Sequence, residues 1–119
     1  MAYFHLLAAW RNQDIDKMKE IISKDICAVF IKEDCNTHEM NYDELMNLFQ
    51  QRFKDDQDWR FEVMYRANRT DGNIVVTEII RENERHELLE DKALCTMYFH
   101  KEKTSNKLVR FDMVMGLKD

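Results

Sequence analysis

Apolar residues recur at three- and four-residue steps along the first half of the chain and alternate with polar ones along the second. Over residues 3–11, Phe4, Leu7 and Ala8 share a side that Tyr3, Leu6 and Trp10 broaden, which predicts a short helix. Asn12-Gln13 interrupts it, and Asp14 suits the N-cap of a second helix in which Ile15, Met18, Ile21, Ile22 and Ile26 keep helical spacing. Residues 27–31 are β-prone and predict a first strand, and 33–38 read as a turn with a brief returning strand before Asn41. Asn41 and Glu44 fit a capping box, and the helix they open carries Leu45, Leu48, Phe49, Arg52 and Phe53 on one stripe.

Residues 59–81 predict a β-hairpin with Asp71-Gly72 as its two-residue loop, since that dipeptide best tolerates positive φ. In that register Val63 faces Ile80, Ala67 faces Val76 and Glu62 faces Arg81, apolar against apolar and acid against base. Tyr65 then faces Glu78 on the more apolar side of the sheet. Residues 82–91 form a charged connector, either a loop or one helical turn, with a flap over a pocket as its sharper reading. Two closing strands follow, near 92–101 and 107–116. A connection near Thr104 pairs Phe99 with Val109, Met97 with Phe111 and Cys95 with Met113. The sum is an α+β roll: three helices from the N-terminal half packed on one curved, mainly antiparallel sheet.

Composition adds boundaries. With 119 residues, 45% apolar and 34% charged, residues 1–119 make one domain with a sizeable core of its own. A net charge of −5 offers no basic footprint for nucleic acid or an anionic membrane surface. No apolar run approaches the ~20 residues needed to span a bilayer, and the first residues lack a basic signal-peptide region, so a cytoplasmic location is expected. Cys27, Cys35 and Cys95 are odd in number and lack CxxC spacing, which argues against a disulfide framework and a zinc knuckle. His5, His38, His86 and His100 share no ligand-like spacing, so neither a metal nor another cofactor is expected. Cys95 and His100, five apart on one strand, face opposite sides and make no dyad.

The helix–helix opening Ala9-Trp10-Arg11-Asn12-Gln13-Asp14-Ile15-Asp16, the strand 27–31, the capped helix from Asn41 and the final strand Asn106-Lys107-Leu108-Val109-Arg110-Phe111 carry a resemblance. In element order the chain resembles the nuclear-transport-factor-2-like superfamily, in particular its small SnoaL-like and ketosteroid-isomerase-like bacterial members. The resemblance covers essentially the whole chain by pattern, without a diagnostic signature. It implies a conical apolar pocket between the helices and the concave sheet face, and dimers through the outer face. Carried over by position, the catalytic residues of the steroid isomerases fall at Leu6, Phe30 and Cys95. The base and both oxyanion donors are absent, which argues against that isomerase mechanism.

Trp10, Phe30, Trp59, Phe61 and Val63 are the expected pocket wall from the helices, first strand and hairpin. Cys95, Met97, Phe111 and Met113 are expected from the closing strands, with Met97, Met113 and Met115 as an adaptable wall or ordinary core. Trp10 and Trp59 stand at the mouth or in the core. Glu78 beside Tyr65 is the candidate catalytic pair, because a carboxylate desolvated in an apolar cone is a plausible general base. Its bland reading is an acid near the sheet end that reaches water. The outer face is expected to hold Met64, Thr77, Ile79, Tyr98 and Leu108 among Glu62, Arg66, Arg81, Arg110 and Asp112, a surface suited to a homodimer. Three readings follow: binding of a small hydrophobic or weakly polar molecule by a homodimer; an isomerase, cyclase or dehydratase working through Glu78; and an interaction module whose cone is filled core.

Overall fold

Helix α1 (Ala2–Arg11) turns at Asn12-Gln13 into α2 (Ile15–Ile21), whose N-terminus is capped by Asp14 accepting from Lys17 N at 3.2 Å. The computed structural model describes residues 1–118; Asp119 lies outside the described residues. Strand β1 (Ile22–Ile31) starts where the helical spacing predicts continuation through Ile26. The adjacent β-branched Ile21 and Ile22 stiffen the chain against another helical turn, and both Ile22 and Ile26 are buried in the strand. β2 (Thr37–Met40) returns beside β1, and α3 (Tyr42–Arg52) follows. Both capping-box bonds are formed: Glu44 N to Asn41 Oδ1 at 3.0 Å and Asn41 N to Glu44 Oε1 at 3.1 Å.

Strands β3 (Asp58–Arg69), β4 (Gly72–Glu82), β5 (Lys92–Glu102) and β6 (Ser105–Leu117) complete one six-stranded sheet in the order β2-β1-β6-β5-β4-β3. Every pair is antiparallel except β1 with β6, which is parallel. The three helices pack on one face, and Leu6, Met18, Leu45, Met97 and Phe111 are among the fully buried side chains between the layers. Met97 faces Phe111 and Cys95 faces Met113, as the alternation predicts. A register shift after Tyr98 puts Leu108, not Val109, opposite Phe99, and Leu108 is buried.

The long hairpin departs from its expected register in two steps. Its loop is Thr70-Asp71, with Arg69 opposite Gly72, and Asp71 supplies the left-handed residue at φ 60°. Gly72 already belongs to β4, because β5 crosses it closely: a Cβ there would lie 2.1 Å from the Phe99 carbonyl oxygen. Tyr65 therefore faces Val76, not Glu78. A bulge at Met64 then shifts the register again, so that Val63 faces Thr77, Glu62 faces Glu78 and Phe61 faces Ile79. The odd step reverses which β4 residues accompany each β3 residue. Val75, Thr77, Ile79 and Arg81 look toward the helices with Trp59 and Phe61, while Ile74, Val76, Glu78 and Ile80 share the outer face. Thr77, fully buried on the inner face, donates its hydroxyl to Glu62 O at 3.0 Å.

This reading separates the two turn residues by substitution. Gly72→Ala should lower the unfolding free energy in urea by about 3 kcal/mol through overpacking against β5, while Asp71→Gly should stay within about 0.5 kcal/mol of wild type. A tolerated Gly72→Ala would return Gly72 to the turn and undo the register.

Candidate functional site

Between the helical layer and the inner sheet face lies a cavity of about 550 Å³. That is within the ~300–1,000 Å³ range of small-molecule sites. Its deep wall is apolar and largely aromatic: Trp10 from α1, Phe49 from α3, Trp59 from β3, Ile79 from β4 and Phe111 from β6. Trp10 is the hub. Its indole makes edge-on contacts with Phe49, Phe61 and Trp59 at centroid distances of 4.8, 5.2 and 5.6 Å, and lies 6.1 Å from Phe111.

The charged lining residues come from one end of the cone, where β1, β4 and β6 finish and β5 begins. Lys32, Arg52 and Arg81 carry positive charge there and Glu33, Glu90 and Asp91 negative, so the rim is balanced. Glu90 Oε1 lies 2.5 Å from Arg52 Nη1 and 3.7 Å from Arg81 Nη1. Arg81 also donates to Gln57 Oε1 and lies over the Trp59 ring. Gln57 in turn donates to Gln13 Oε1 at 2.6 Å and to Arg52 O at 2.5 Å. Lys118 joins Asp91 at 2.9 Å to Glu33 at 3.2 Å. These two acids hold the ammonium pKa above its usual value, Asp91 the more strongly.

The connector 82–91 is ordered as a tight loop and contributes part of this rim through Glu90 and Asp91. Asn83 Oδ1 accepts from Arg85 N at 2.8 Å and Glu87 N at 3.1 Å, and Leu89 N donates to Arg81 O at 2.9 Å.

The two indoles of the cavity differ in one respect. Trp59 Nε1–H donates to Gln13 Oε1 at 3.0 Å. Trp10 is 2% exposed, and its Nε1–H is buried without a hydrogen-bond partner. Such an unmet donor costs roughly 1–3 kcal/mol.

Of the residues named from the sequence, Trp10, Phe30, Trp59, Phe111 and Met113 line the cavity. Phe61 instead stands behind Trp10 as part of its aromatic surround. Cys95 and Met97 are fully buried in the sheet-side core rather than on the cavity wall. Burial, and secondarily Asp112, pushes the Cys95 thiol pKa well above its usual value, which keeps it protonated and unreactive. Val63 faces inward by register, yet it is 42% exposed and lines a separate groove of about 490 Å³ with Met1, Met64 and Tyr65.

The Glu78–Tyr65 pair does not form. Tyr65 is 61% exposed in that second groove, and Glu78 sits on the outer face opposite Glu62 and Leu94. The Met64 bulge and the displaced turn account for both shifts. The same reversal takes Thr77, Ile79 and Arg81 off the outer face, and Arg66 with them, whose guanidinium donates to Tyr3 Oη at 2.6 Å on the helical side. Ile79, Arg81 and the α3 residues Phe49 and Arg52 therefore line the cavity without being among the residues the sequence points to for it. The α3 stripe was the signal for the last two, since a helix face that covers a concave sheet also roofs any space beneath it.

The family model of the SnoaL-like domain matches residues 2–112, and the chain belongs to that family. No curated protein matches it in sequence. Among solved structures it is similar to a putative calcium/calmodulin-dependent protein kinase type II association domain from Thiobacillus denitrificans, at 11% identity and a TM-score of 0.79, over 98% of this chain and 93% of that one. It is also similar to an NTF-2 like protein of unknown function from Silicibacter pomeroyi, at 10% identity and a TM-score of 0.76, over 97% and 90%. A ketosteroid isomerase-like protein from Erwinia carotovora atroseptica aligns at 15% identity and a TM-score of 0.71, over 98% and 92%. At these identities the likeness is one of fold. Leu6, Phe30 and Cys95 are all buried and apolar in character. Among the described residues no three His, Cys, Asp or Glu side chains converge to hold a metal, and no helix is long and apolar enough to cross a membrane.

Proposed function

We propose that this SnoaL-like domain holds a small, neutral, largely apolar molecule in the cavity beneath Trp10. The observation that carries the reading is a cavity of about 550 Å³ walled by aromatic side chains and rimmed by equal numbers of positive and negative groups. Apolar walls favour an apolar body, since each Å² removed from water is worth about 25 cal/mol. The balanced rim gives no net attraction to an anion or a cation. Five of the six rim charges are also engaged: Glu90 is shared by Arg52 and Arg81, and Lys118, which is not itself a lining residue, spans Glu33 and Asp91. A charged ligand would have to displace those pairs.

The acid–base alternative lacks an unpaired carboxylate among the lining residues: Glu78 is on the other face, Glu90 is clamped by two guanidiniums, and Glu33 and Asp91 are bridged by Lys118. Binding is therefore favoured over catalysis. Three unpaired cysteines support a reducing compartment such as the cytoplasm.

N-phenyl-1-naphthylamine, a neutral dye that brightens in apolar surroundings, tests the reading. It should bind saturably, one per chain, and Ala93→Phe, which adds a ring at the cavity wall, should weaken it at least about tenfold while far-UV circular dichroism stays unchanged. Binding that is absent in wild type, or equal in both proteins, would contradict it.

We further propose a homodimer through the outer sheet face. Ile74, Val76, Leu94, Tyr98 and Val114 lie half-buried there, with the Arg110–Asp112 pair at 3.1 Å among them. A face of that mixture resembles subunit contacts more than open surface. Sedimentation at micromolar concentration should give a dimer that Leu94→Arg converts to monomer; a monomeric wild type would remove the proposal.

A further inference from the structure

We propose that the free edge of β3 is a self-association surface, on which a second copy of this chain pairs its own β3 antiparallel about a two-fold axis between Val63 and Met64. The inference stands apart from both the cavity and the outer-face contact.

The sheet has two edges, and they differ. β2 is four residues long, and shortness blunts an edge. β3 has twelve residues, with β4 on one side and no strand on the other among the described residues. Its middle carries neither the lysine nor the proline that guards such an edge. Val63, Met64 and Tyr65 are instead 42%, 61% and 61% exposed there. Met1 lines the same groove, and Phe4 stacks on Tyr3, which takes the hydrogen bond from Arg66. These five are most of the seven large apolar side chains exposed among the described residues. Apolar exposure gathered in one place marks a contact surface.

Register identifies the occupant. The Met64 bulge reverses the alternation along β3: before it Asp58, Arg60 and Glu62 lie on the outer face, and after it Tyr65, Ala67 and Arg69 do. Antiparallel self-pairing sets the first half of one strand against the second half of the other. Overlapped along its whole length, β3 places Asp58 opposite Arg69 of the second copy, Arg60 opposite Ala67 and Glu62 opposite Tyr65, all on the outer face. On the helical side Trp59 meets Asn68 and Phe61 meets Arg66, while Val63 meets Met64 at the axis. Faces match, no like charges meet, and the symmetry makes the Asp58–Arg69 pair twice. A slip of one residue sets Glu62 on the outer face against Arg66 on the helical side. A slip of two sets Arg60 against Arg69 in one direction and leaves Asn68 and Arg69 overhanging in the other. Without its bulge, a strand of twelve residues overlapped in this way would set inner positions against outer ones. The bulge makes the edge complementary to itself.

Leu94→Arg, which removes the outer-face contact, isolates the edge for sedimentation. One strand pair is a small contact, so this variant should be monomeric at about 5 μM and mostly dimeric at about 500 μM. Adding Met64→Lys, at an exposed position beside the axis, should keep it monomeric throughout. Adding Asp58→Arg should weaken the dimer at least about fivefold, and combining that with Arg69→Asp should restore it to within about twofold. In the wild-type chain, β3 amides should exchange hydrogen at least about threefold more slowly at the higher concentration, a readout that needs no variant. A Leu94→Arg chain that stays monomeric, with wild-type exchange unchanged, would overturn the inference. So would a dimer indifferent to Met64→Lys, growth of the Leu94→Arg chain past the dimer, or a double charge reversal that restores nothing.

Discussion

The packing of one indole, Trp10, against rings from three other elements holds the helical layer above the sheet. Phe49 comes from α3, Trp59 and Phe61 from β3 and Phe111 from β6, so a single α1 side chain ties a neighbouring helix and two strands of the sheet together. Burying a side chain of this size removes roughly 150–250 Å² from water, worth about 5 kcal/mol. Rigid rings in edge-on contact also act as spacers: they meet at fixed distances and do not collapse into the space beside them as flexible chains would. The cavity and the stability of the helix layer thus have one origin.

What the aromatics do at depth, a polar network does at the rim. Gln13 from the α1–α2 turn, Gln57 before β3, Arg81 at the end of β4, Arg52 at the end of α3 and Glu90 from the connector are joined in one chain of hydrogen bonds and ion pairs. Each link is worth little alone at partial exposure. Together they place the connector at the mouth; with Lys32, Glu33 and Asp91 counted, the charged lining residues are three of each sign, which is why the cavity suits a neutral guest.

Much of this architecture was legible in the residues. The capping box at Asn41 and Glu44, the Asp14 cap and the alternation of β5 and β6 each rest on local chemistry that the tertiary structure keeps. The hairpin was not legible for a physical reason. Both faces of β4 are about equally apolar, Ile74, Val76 and Ile80 on one and Val75 and Ile79 on the other, so pattern alone could not choose between them. Gly72 is needed for the close crossing of β5, a long-range demand invisible in a local turn motif. The Met64 bulge carries no glycine to announce it, and its single extra residue moved Glu78 to the outer face and brought Ile79 and Arg81 to the site.

A guest can be held only if the space beneath Trp10 is open rather than filled. A crystal structure determined under xenon pressure measures that directly, since xenon occupies apolar voids with little demand on geometry. Xenon density is expected among Phe49, Ile79 and Phe111, with the rings in the positions described. Absence of xenon there, with those side chains collapsed against one another, would contradict it.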